Sequence, residues 1–161
     1  MRDEISTFLL KDSVMKKILA KEKKEVIVKE SNDSCFQSLY ETIIYQQLSG
    51  KAASSILKKF LNLFPDNIAT PELVLIKSED ELASAGISRQ KRGYLYSLAE
   101  KFINGIITPE KFSSMTDEEI ITELIQIKGI GRWSAQMYLM FTLGREDVFA
   151  PDDLGLRKAI Q

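Results

Sequence analysis

The 161-residue sequence contains no histidine and only one cysteine, and these two gaps exclude several kinds of functional site. Without histidine there is neither the usual general base nor any Ser-His-Asp or Cys-His arrangement. A single cysteine, Cys35, cannot build a disulfide framework or a four-cysteine metal site, so we expect it to be a buried small residue in a reducing compartment. Any catalysis must therefore use carboxylates, lysines, hydroxyls or backbone groups.

Long apolar runs and a strong net charge are also missing. No stretch approaches the roughly 20 apolar residues of a membrane-spanning helix, and the N-terminus lacks the apolar core of a signal peptide. We therefore expect an intracellular protein, in the cytoplasm and nucleoid or in a eukaryotic nucleus, with no membrane partner. The net charge of −1 gives no sign of a nucleic-acid partner, and the mixed Lys and Glu of residues 16–24 are typical of a solvated helix face.

Apolar residues recur with helical spacing along nearly the whole chain, which predicts an all-α fold. Thr116 and Glu119 form a predicted capping box, so a helix should begin there and end at about Ile127. The only plausible strand, at residues 25–30, is too short to make a sheet. The other predicted helices cover residues 36–47, 53–64 and 89–102 and a segment that begins near Trp133 and ends at Gly144.

The segment KGIGR, residues 128–132, lies between two predicted helices. Its glycines permit a positive φ and a close approach, and the N-terminus of the next helix presents free N–H groups that could hold a phosphate. On the glycines alone, an ordinary turn between helices is the simpler interpretation. Asp152 and Asp153 follow about twenty residues later, and capping of the next helix is the simpler interpretation of both.

A longer pattern changes these interpretations. Residues 124–160, LIQIKGIGRWSAQMYLMFTLGREDVFAPDDLGLRKAI, closely resemble the helix-hairpin-helix and aspartate loop of the DNA glycosylase superfamily, specifically its 3-methyladenine (alkyl-base) DNA glycosylase II branch. FQSLYETIIYQQLSGKAASSILKKF at 36–60 and AGISRQKRGYLYSLAEKF at 85–102 resemble the same branch in the same order. Three ordered matches make chance similarity an unsatisfactory explanation.

The resemblance implies a single glycosylase domain over residues 1–161, built as an all-α fold of two helical lobes with the active cleft between them. The lobes would comprise residues 36–103 and residues 104–161. The sequence ends at Gln161, inside a predicted helix, so the C-terminal helices of the family fold are expected to be missing.

The resemblance also implies that the hairpin holds a DNA phosphate. The backbone amides of Gly129, Ile130 and Gly131 would make the contact, and Lys128 and Arg132 would add positive charge. A monovalent cation, K⁺ or Na⁺, can bind the hairpin backbone in this family without side-chain ligands. No other cofactor is expected.

The catalytic residue implied by position is Asp153, whose carboxylate would face the positive charge that develops at C1′ as the N-glycosidic bond breaks. Asp152 keeps the capping interpretation. Trp133 stands where strand-cleaving members of the superfamily have a lysine, so the chain is expected to hydrolyse the bond without cutting the strand. Trp133, Met137 and Tyr138 would line the base pocket, although a place in the helix core explains Met137 and Tyr138 equally well.

Gln47, with its neighbour Leu48, falls where the family inserts a side chain into the gap left by a flipped base. The expected function is therefore the excision of alkylated purines, of the 3-methyladenine and 7-methylguanine type, from duplex DNA by a monomer. Such bases already carry a positive charge, so they leave without a strong general acid. One alternative is a non-catalytic helix-hairpin-helix module that recognises DNA lesions, and a weaker one is a helical protein–protein scaffold.

Overall fold

The computed structural model describes residues 7–21 and 34–160, and every regular element in these two ranges is helical. The prediction of an all-α fold is confirmed, whereas the predicted strand at residues 25–30 lies outside the described residues. The helices are α1 (Ser13–Lys21), α2 (Cys35–Tyr45), α3 (Gly50–Leu61), α4 (Pro71–Leu75), α5 (Glu79–Ser84), α6 (Arg89–Ile103), α7 (Asp117–Leu124), α8 (Arg132–Phe141) and α9 (Leu154–Ile160). Two 3₁₀ turns cover Pro65–Asn67 and Pro109–Ser114, and residues 7–9 are also helical.

Side-chain caps explain where several of these helices begin. Ser49 accepts a hydrogen bond from the Ala52 N–H and so begins α3, and Ser88 begins α6 in the same way. The predicted capping box is confirmed: the Thr116 hydroxyl accepts from the Glu119 N–H, while the Glu119 carboxylate accepts from the Thr116 N–H. These caps fix the helix starts that flank the functional segments.

The core is one continuous cluster that draws residues from both predicted lobes. Helix α6 lies at its centre and packs against α2, α4 and α5, while α8 packs against α2 and α7. The largest side chains that are completely enclosed are Phe60, Phe112, Leu39, Ile43, Ile44, Leu82, Ile87, Leu95, Leu98, Ile120, Leu124 and Ile127. Because α2, α6, α7 and α8 share this core, the loops at their ends are held in fixed relative positions.

Cys35 was expected to be buried but is only partly buried; this burial still raises the pKa of its thiol to about 12, so the thiol stays protonated. Among the described residues, no helix combines the length and apolar character needed to cross a bilayer.

Candidate functional site

The hairpin between α7 and α8 is a tight turn closed by a hydrogen bond of 3.0 Å from the Ile130 N–H to the Ile127 carbonyl. Gly129 has a φ of +87°, a conformation that favours glycine. A Cβ at this position would lie 2.2 Å from Cδ2 of Tyr94, so the tyrosine ring also demands glycine. The fold itself therefore requires Gly129, whatever the hairpin binds.

Gly131 is different, because nothing in the fold requires it. It is the N-cap of α8, with φ −98° and ψ 175°, a backbone conformation open to any residue. A Cβ there would have no atom within 4 Å, and no side chain caps the helix. In the described part of the chain, the N–H groups of Gly129 and Gly131 have no acceptor, and the first turn of α8 leaves further N–H groups free. The hairpin thus offers several backbone donors to an anion.

The two basic residues beside the hairpin are not equivalent. Both are exposed, but the Arg132 guanidinium donates two hydrogen bonds to the Glu118 carboxylate, one of them from Nη1 to Oε2 at 3.0 Å. The Lys128 side chain has no ion pair among the described residues. The backbone N–H of Lys128 donates to the Ser97 Oγ at 3.3 Å. Among the described residues, Lys128 is therefore the free charge at this site. The side chain of Ile130 is buried and its N–H already donates to Ile127, so the predicted Ile130 amide contact is replaced by a free carbonyl.

Asp153 caps helix α9 and also contacts Trp133. Its Oδ1 accepts from the Leu156 N–H at 2.7 Å, and its Oδ2 accepts from the Trp133 indole Nε1–H at 3.0 Å. Asp152 is exposed on the preceding turn. The capping role that the sequence suggested for Asp152 therefore belongs to Asp153. Asp153 immediately precedes Leu154, the first residue of α9, and accepts from the Leu156 N–H.

Hydrogen bonding sets the charge of the Asp153 carboxyl group. The Leu156 N–H, followed by the Trp133 indole, holds the pKa of Asp153 below its usual range, against a smaller opposing effect of burial. Both donors stabilise the ionised form. At neutral pH the group is a carboxylate, which can stabilise positive charge but cannot donate a proton.

A cavity of about 430 Å³ opens beside this carboxylate. Most of the described residues that line it are apolar, and Asp153 is the only charged one among them. The lining residues are Met137, Met140, Phe141, Val148, Phe149, Ala150, Asp153 and Leu156. An apolar cavity with a single carboxylate suits a flat, cationic molecule better than an anion.

The three predicted pocket residues lie in three different environments. Met137 lines the cavity. Trp133 is 42% exposed and does not line it, although its indole N–H contacts the carboxylate that does. Tyr138 is buried in the core, where its ring packs edge-on against Phe112 with centroids 6.1 Å apart. We therefore do not include Tyr138 in the proposed pocket.

The loop that carries Asp153 is attached to α8 by a buried glutamine. Gln136 is 6% exposed, and its Nε2 donates to the Phe149 carbonyl at 3.0 Å. The Asp153 N–H donates to the Ala150 carbonyl at 3.0 Å, which closes the turn before α9. These bonds keep the aspartate loop at a fixed distance from the start of α8 and hence from the hairpin.

Gln47 and Leu48 lie in the turn between α2 and α3, which we call the wedge loop (residues 46–49). Both side chains are exposed, and Gln47 has a φ of +57°. The preceding residue, Gln46, donates from Nε2 to the Gly129 carbonyl at 2.8 Å. The wedge loop therefore lies next to the hairpin, although the two are far apart in the sequence.

Sequence reasoning missed several residues of this region. Phe149 and Leu156 line the cavity, and Gln136 holds the aspartate loop. Gln46 joins the wedge loop to the hairpin, and Lys91 donates from Nζ to the carbonyls of Ile44 and Gln46 at 2.7 Å each. All five residues lie within the three matched segments, but nothing in the local sequence assigns a role to any of them.

Comparison with known proteins agrees with this geometry. Residues 40–161 match the family model described as HhH-GPD superfamily base excision DNA repair protein. DNA-3-methyladenine glycosylase 1 of Schizosaccharomyces pombe is 38% identical over 124 residues, which cover 76% of this chain and 54% of that protein. DNA-3-methyladenine glycosylase of Saccharomyces cerevisiae is 38% identical over 143 residues, which cover 84% of this chain and 48% of that protein. The chain thus spans about half the length of these two relatives.

Solved structures give the same result. The crystal structure of a DNA-3-methyladenine glycosidase from Bacillus halodurans aligns with a TM-score of 0.84 at 33% identity, over 96% of this chain and 70% of that one. The S. pombe 3-methyladenine DNA glycosylase in complex with abasic DNA aligns with a TM-score of 0.79 at 33% identity, over 92% of this chain and 74% of that one. With its all-helical fold, glycine hairpin and aspartate loop, the chain belongs to the HhH-GPD superfamily of base excision DNA repair proteins, in the branch of the 3-methyladenine DNA glycosylases.

Proposed function

We propose that this chain excises alkylated purines, of the 3-methyladenine and 7-methylguanine type, from duplex DNA by hydrolysis of the N-glycosidic bond. The observation that carries the proposal is the Asp153 carboxylate, held by two donors at the edge of an apolar cavity of about 430 Å³. The named relatives, which are 3-methyladenine glycosylases, support the choice of substrate. The proposed partner is therefore double-stranded DNA with alkylated bases, bound by a monomer.

The hairpin would hold a phosphate of the DNA backbone beside the lesion. The free N–H groups at Gly129, Gly131 and the first turn of α8 would donate to its oxygens, and Lys128 would add a positive charge. Such contacts fix position without reading sequence. A protein that searches for damage needs such sequence-independent contacts, because the lesion can occur in any sequence.

Backbone oxygens at the same hairpin fit the monovalent cation that the family resemblance suggests. The carbonyls of Ile125 and Ile130 accept no hydrogen bond within the described residues, and hard cations take oxygen ligands, backbone carbonyls included. A K⁺ or Na⁺ ion bound there would supply additional positive charge next to the phosphate. The Gly129 carbonyl is already occupied by the Gln46 amide.

Asp153 would act on the sugar of a nucleotide flipped into the cleft. As the bond to the base breaks, positive charge spreads over C1′ and the ring oxygen, and a fixed carboxylate stabilises this charge more than it stabilises the ground state. Each carboxylate oxygen accepts one hydrogen bond from the chain and keeps another lone pair for the sugar or for the attacking water. Its lowered pKa keeps it in the active form.

The choice of substrate class depends on which groups could protonate a leaving base. The chain has no histidine, and Asp153 is ionised, so neither can protonate a leaving base. A purine methylated at N3 or N7 is already a cation and departs as a neutral molecule. Apolar walls that include the rings of Phe141 and Phe149 suit such a base, because a cation above an aromatic face gains about 1–2 kcal/mol where water is excluded.

A second candidate is a non-catalytic module that binds damaged DNA. One observation favours it: both oxygens of Asp153 are engaged by the protein itself, as in an ordinary helix cap. In that case the hairpin would still grip DNA, but no base would be released. The two candidates predict opposite results for the same experiment.

That experiment measures the release of 3-methyladenine and 7-methylguanine from alkylated duplex DNA by the unaltered chain, by Asp153→Asn and by the matched control Asp152→Asn. We expect Asp153→Asn to slow release by on the order of 100- to 1,000-fold and Asp152→Asn to leave it nearly unchanged. Both variants should still bind the duplex. If Asp153→Asn releases base at the unaltered rate, the aspartate is a cap and the catalytic proposal is wrong.

A further inference from the structure

The start of the wedge loop is fixed by the side chain of Lys91. Lys91, on α6, donates from Nζ to the carbonyls of Ile44 and Gln46 at 2.7 Å each. These carbonyls lie at the C-terminal end of α2, where backbone oxygens lack helical partners and a cation is favoured. The Lys91 ammonium thus fixes the point where α2 ends and the wedge loop begins.

The same helix also supports the hairpin. The Tyr94 ring lies against Gly129, close enough to exclude a Cβ, and Gln90 donates to the Tyr94 hydroxyl at 2.6 Å. Ser97 accepts from the Lys128 N–H at 3.3 Å. One face of α6 therefore holds the wedge loop at Lys91 and the hairpin at Tyr94 and Ser97.

A direct bond joins the two loops above this common support. The Gln46 side chain donates from Nε2 to the Gly129 carbonyl at 2.8 Å, across 83 residues of sequence. Gln46 is partly buried, whereas its neighbour Gln47 is exposed. Adjacent glutamines thus have different roles: one is directed into the protein, and the other is free for a partner.

We infer that Gln46 and Lys91 are positioning residues that hold the wedge loop at a fixed spacing from the phosphate-binding hairpin. The inference rests on the proposed function and adds the requirement that the two loops act on one DNA duplex as a rigid pair. A wedge can fill the gap left by a flipped base only if its distance from the phosphate that the hairpin holds matches the spacing along the DNA. The Gln46 hydrogen bond and the two Lys91 hydrogen bonds fix the distance between the wedge loop and the hairpin.

The first test replaces Gln46 with methionine, which keeps the length of the side chain and removes its donor. The matched control is Gln37→Met, because Gln37 lies on α2, the helix that leads into the wedge loop, is also partly buried and donates to Glu41 at 3.1 Å, within α2. Single-turnover release of 7-methylguanine is measured on two duplexes, one with the lesion correctly paired and one with it mispaired. Flipping costs less from a mispair, so the wedge matters less there.

For Gln46→Met we expect release from the paired duplex to fall about fivefold, as for the loss of one hydrogen bond, and release from the mispaired duplex to fall by less than about twofold. Gln37→Met should behave as the unaltered chain on both. A loss of general stability would slow both duplexes equally, so equal slowing, or no slowing, overturns the inference.

The second test separates wedge position from base release. A duplex carries an abasic-site analogue opposite 2-aminopurine, whose fluorescence responds when a side chain fills the gap. At saturating protein, we expect Gln46→Met and Lys91→Met to give a smaller fluorescence change than the unaltered chain, and Lys91→Arg to restore it, since a guanidinium can also donate to two carbonyls. No difference between Lys91→Met and Lys91→Arg would overturn the role of Lys91.

The two tests distinguish the failure of this inference from the failure of the proposed function. A chain that releases no base but shows the fluorescence differences refutes hydrolysis and supports the positioning role. A chain that releases base with identical behaviour of all variants supports hydrolysis and refutes the positioning role.

Discussion

Replacing Gly131 with serine separates the stability of the hairpin from its affinity for DNA. The backbone at this position accepts any residue, and a new Cβ meets no atom within 4 Å, so the free protein accommodates the change without strain. Serine is also a better N-cap than glycine by a few tenths of a kcal/mol. We therefore expect the free energy of unfolding to stay the same or to rise slightly.

The DNA complex should respond in the opposite direction. The added side chain occupies the space through which a phosphate would approach, and its hydroxyl accepts from one of the free N–H groups of α8. The loss of one charge-assisted hydrogen bond, about 1.5–3 kcal/mol, corresponds to roughly 10- to 150-fold weaker binding. Because the phosphate remains near Lys128, the slope of log affinity against log salt should change little.

Thermal unfolding and titration of a fluorescent duplex at several salt concentrations measure both effects on one sample. The contrasting variant is Gly129→Ala, which must distort a backbone at φ +87° and move Tyr94, so it should lower the melting temperature. A folded Gly131→Ser variant with unchanged affinity for damaged and undamaged duplex would show that the hairpin is only structural.

Lys128→Ala should weaken binding to every duplex and reduce the salt slope by about 0.9, whereas Arg132→Ala should reduce it less, because that guanidinium is already paired with Glu118; equal slopes in salt titrations of the two variants would contradict this. Trp133→Phe removes a donor that lowers the pKa of Asp153, so the loss of excision on acidification should begin at a higher pH than in the unaltered chain; an unmoved pH–rate profile would exclude this coupling. Base release should leave the strand intact until alkali is added, since Trp133 has no amine to form an imine, and a protein–DNA adduct trapped by borohydride would refute this.

The elements that could be predicted from sequence are those fixed by neighbouring residues. The start of α7 was predictable because Thr116 and Glu119 cap each other within one turn. Its end was not: α7 stops at Leu124 rather than near Ile127, because the N–H groups of Gln126 and Ile127 bond three residues back, to Glu123 and Leu124. A tightened last turn of this kind leaves no mark in the apolar spacing.

The site was harder to predict because it depends on helix faces and distant contacts. Met137 and Tyr138 are adjacent, yet successive residues of a helix point about 100° apart, so one lines the cavity and the other enters the core. Gln46 and Lys91 gain their roles from partners 83, 47 and 45 residues away. No local pattern distinguishes Gln46, which holds the hairpin, from the exposed Gln47 beside it.

Capping and the proposed catalytic role, which compete as interpretations of Asp153 in the sequence, are compatible in the structure. A carboxyl group beside an apolar cavity tends to take up a proton, because burial disfavours its charged form. At Asp153 the Leu156 N–H and the Trp133 indole outweigh that effect and keep the pKa low. An asparagine has one acceptor oxygen where the aspartate has two, so it can serve only one of these donors and must turn an amide N–H towards the other. The helix cap therefore fixes both the direction and the charge of the carboxylate, the two properties that stabilisation of a cationic sugar requires.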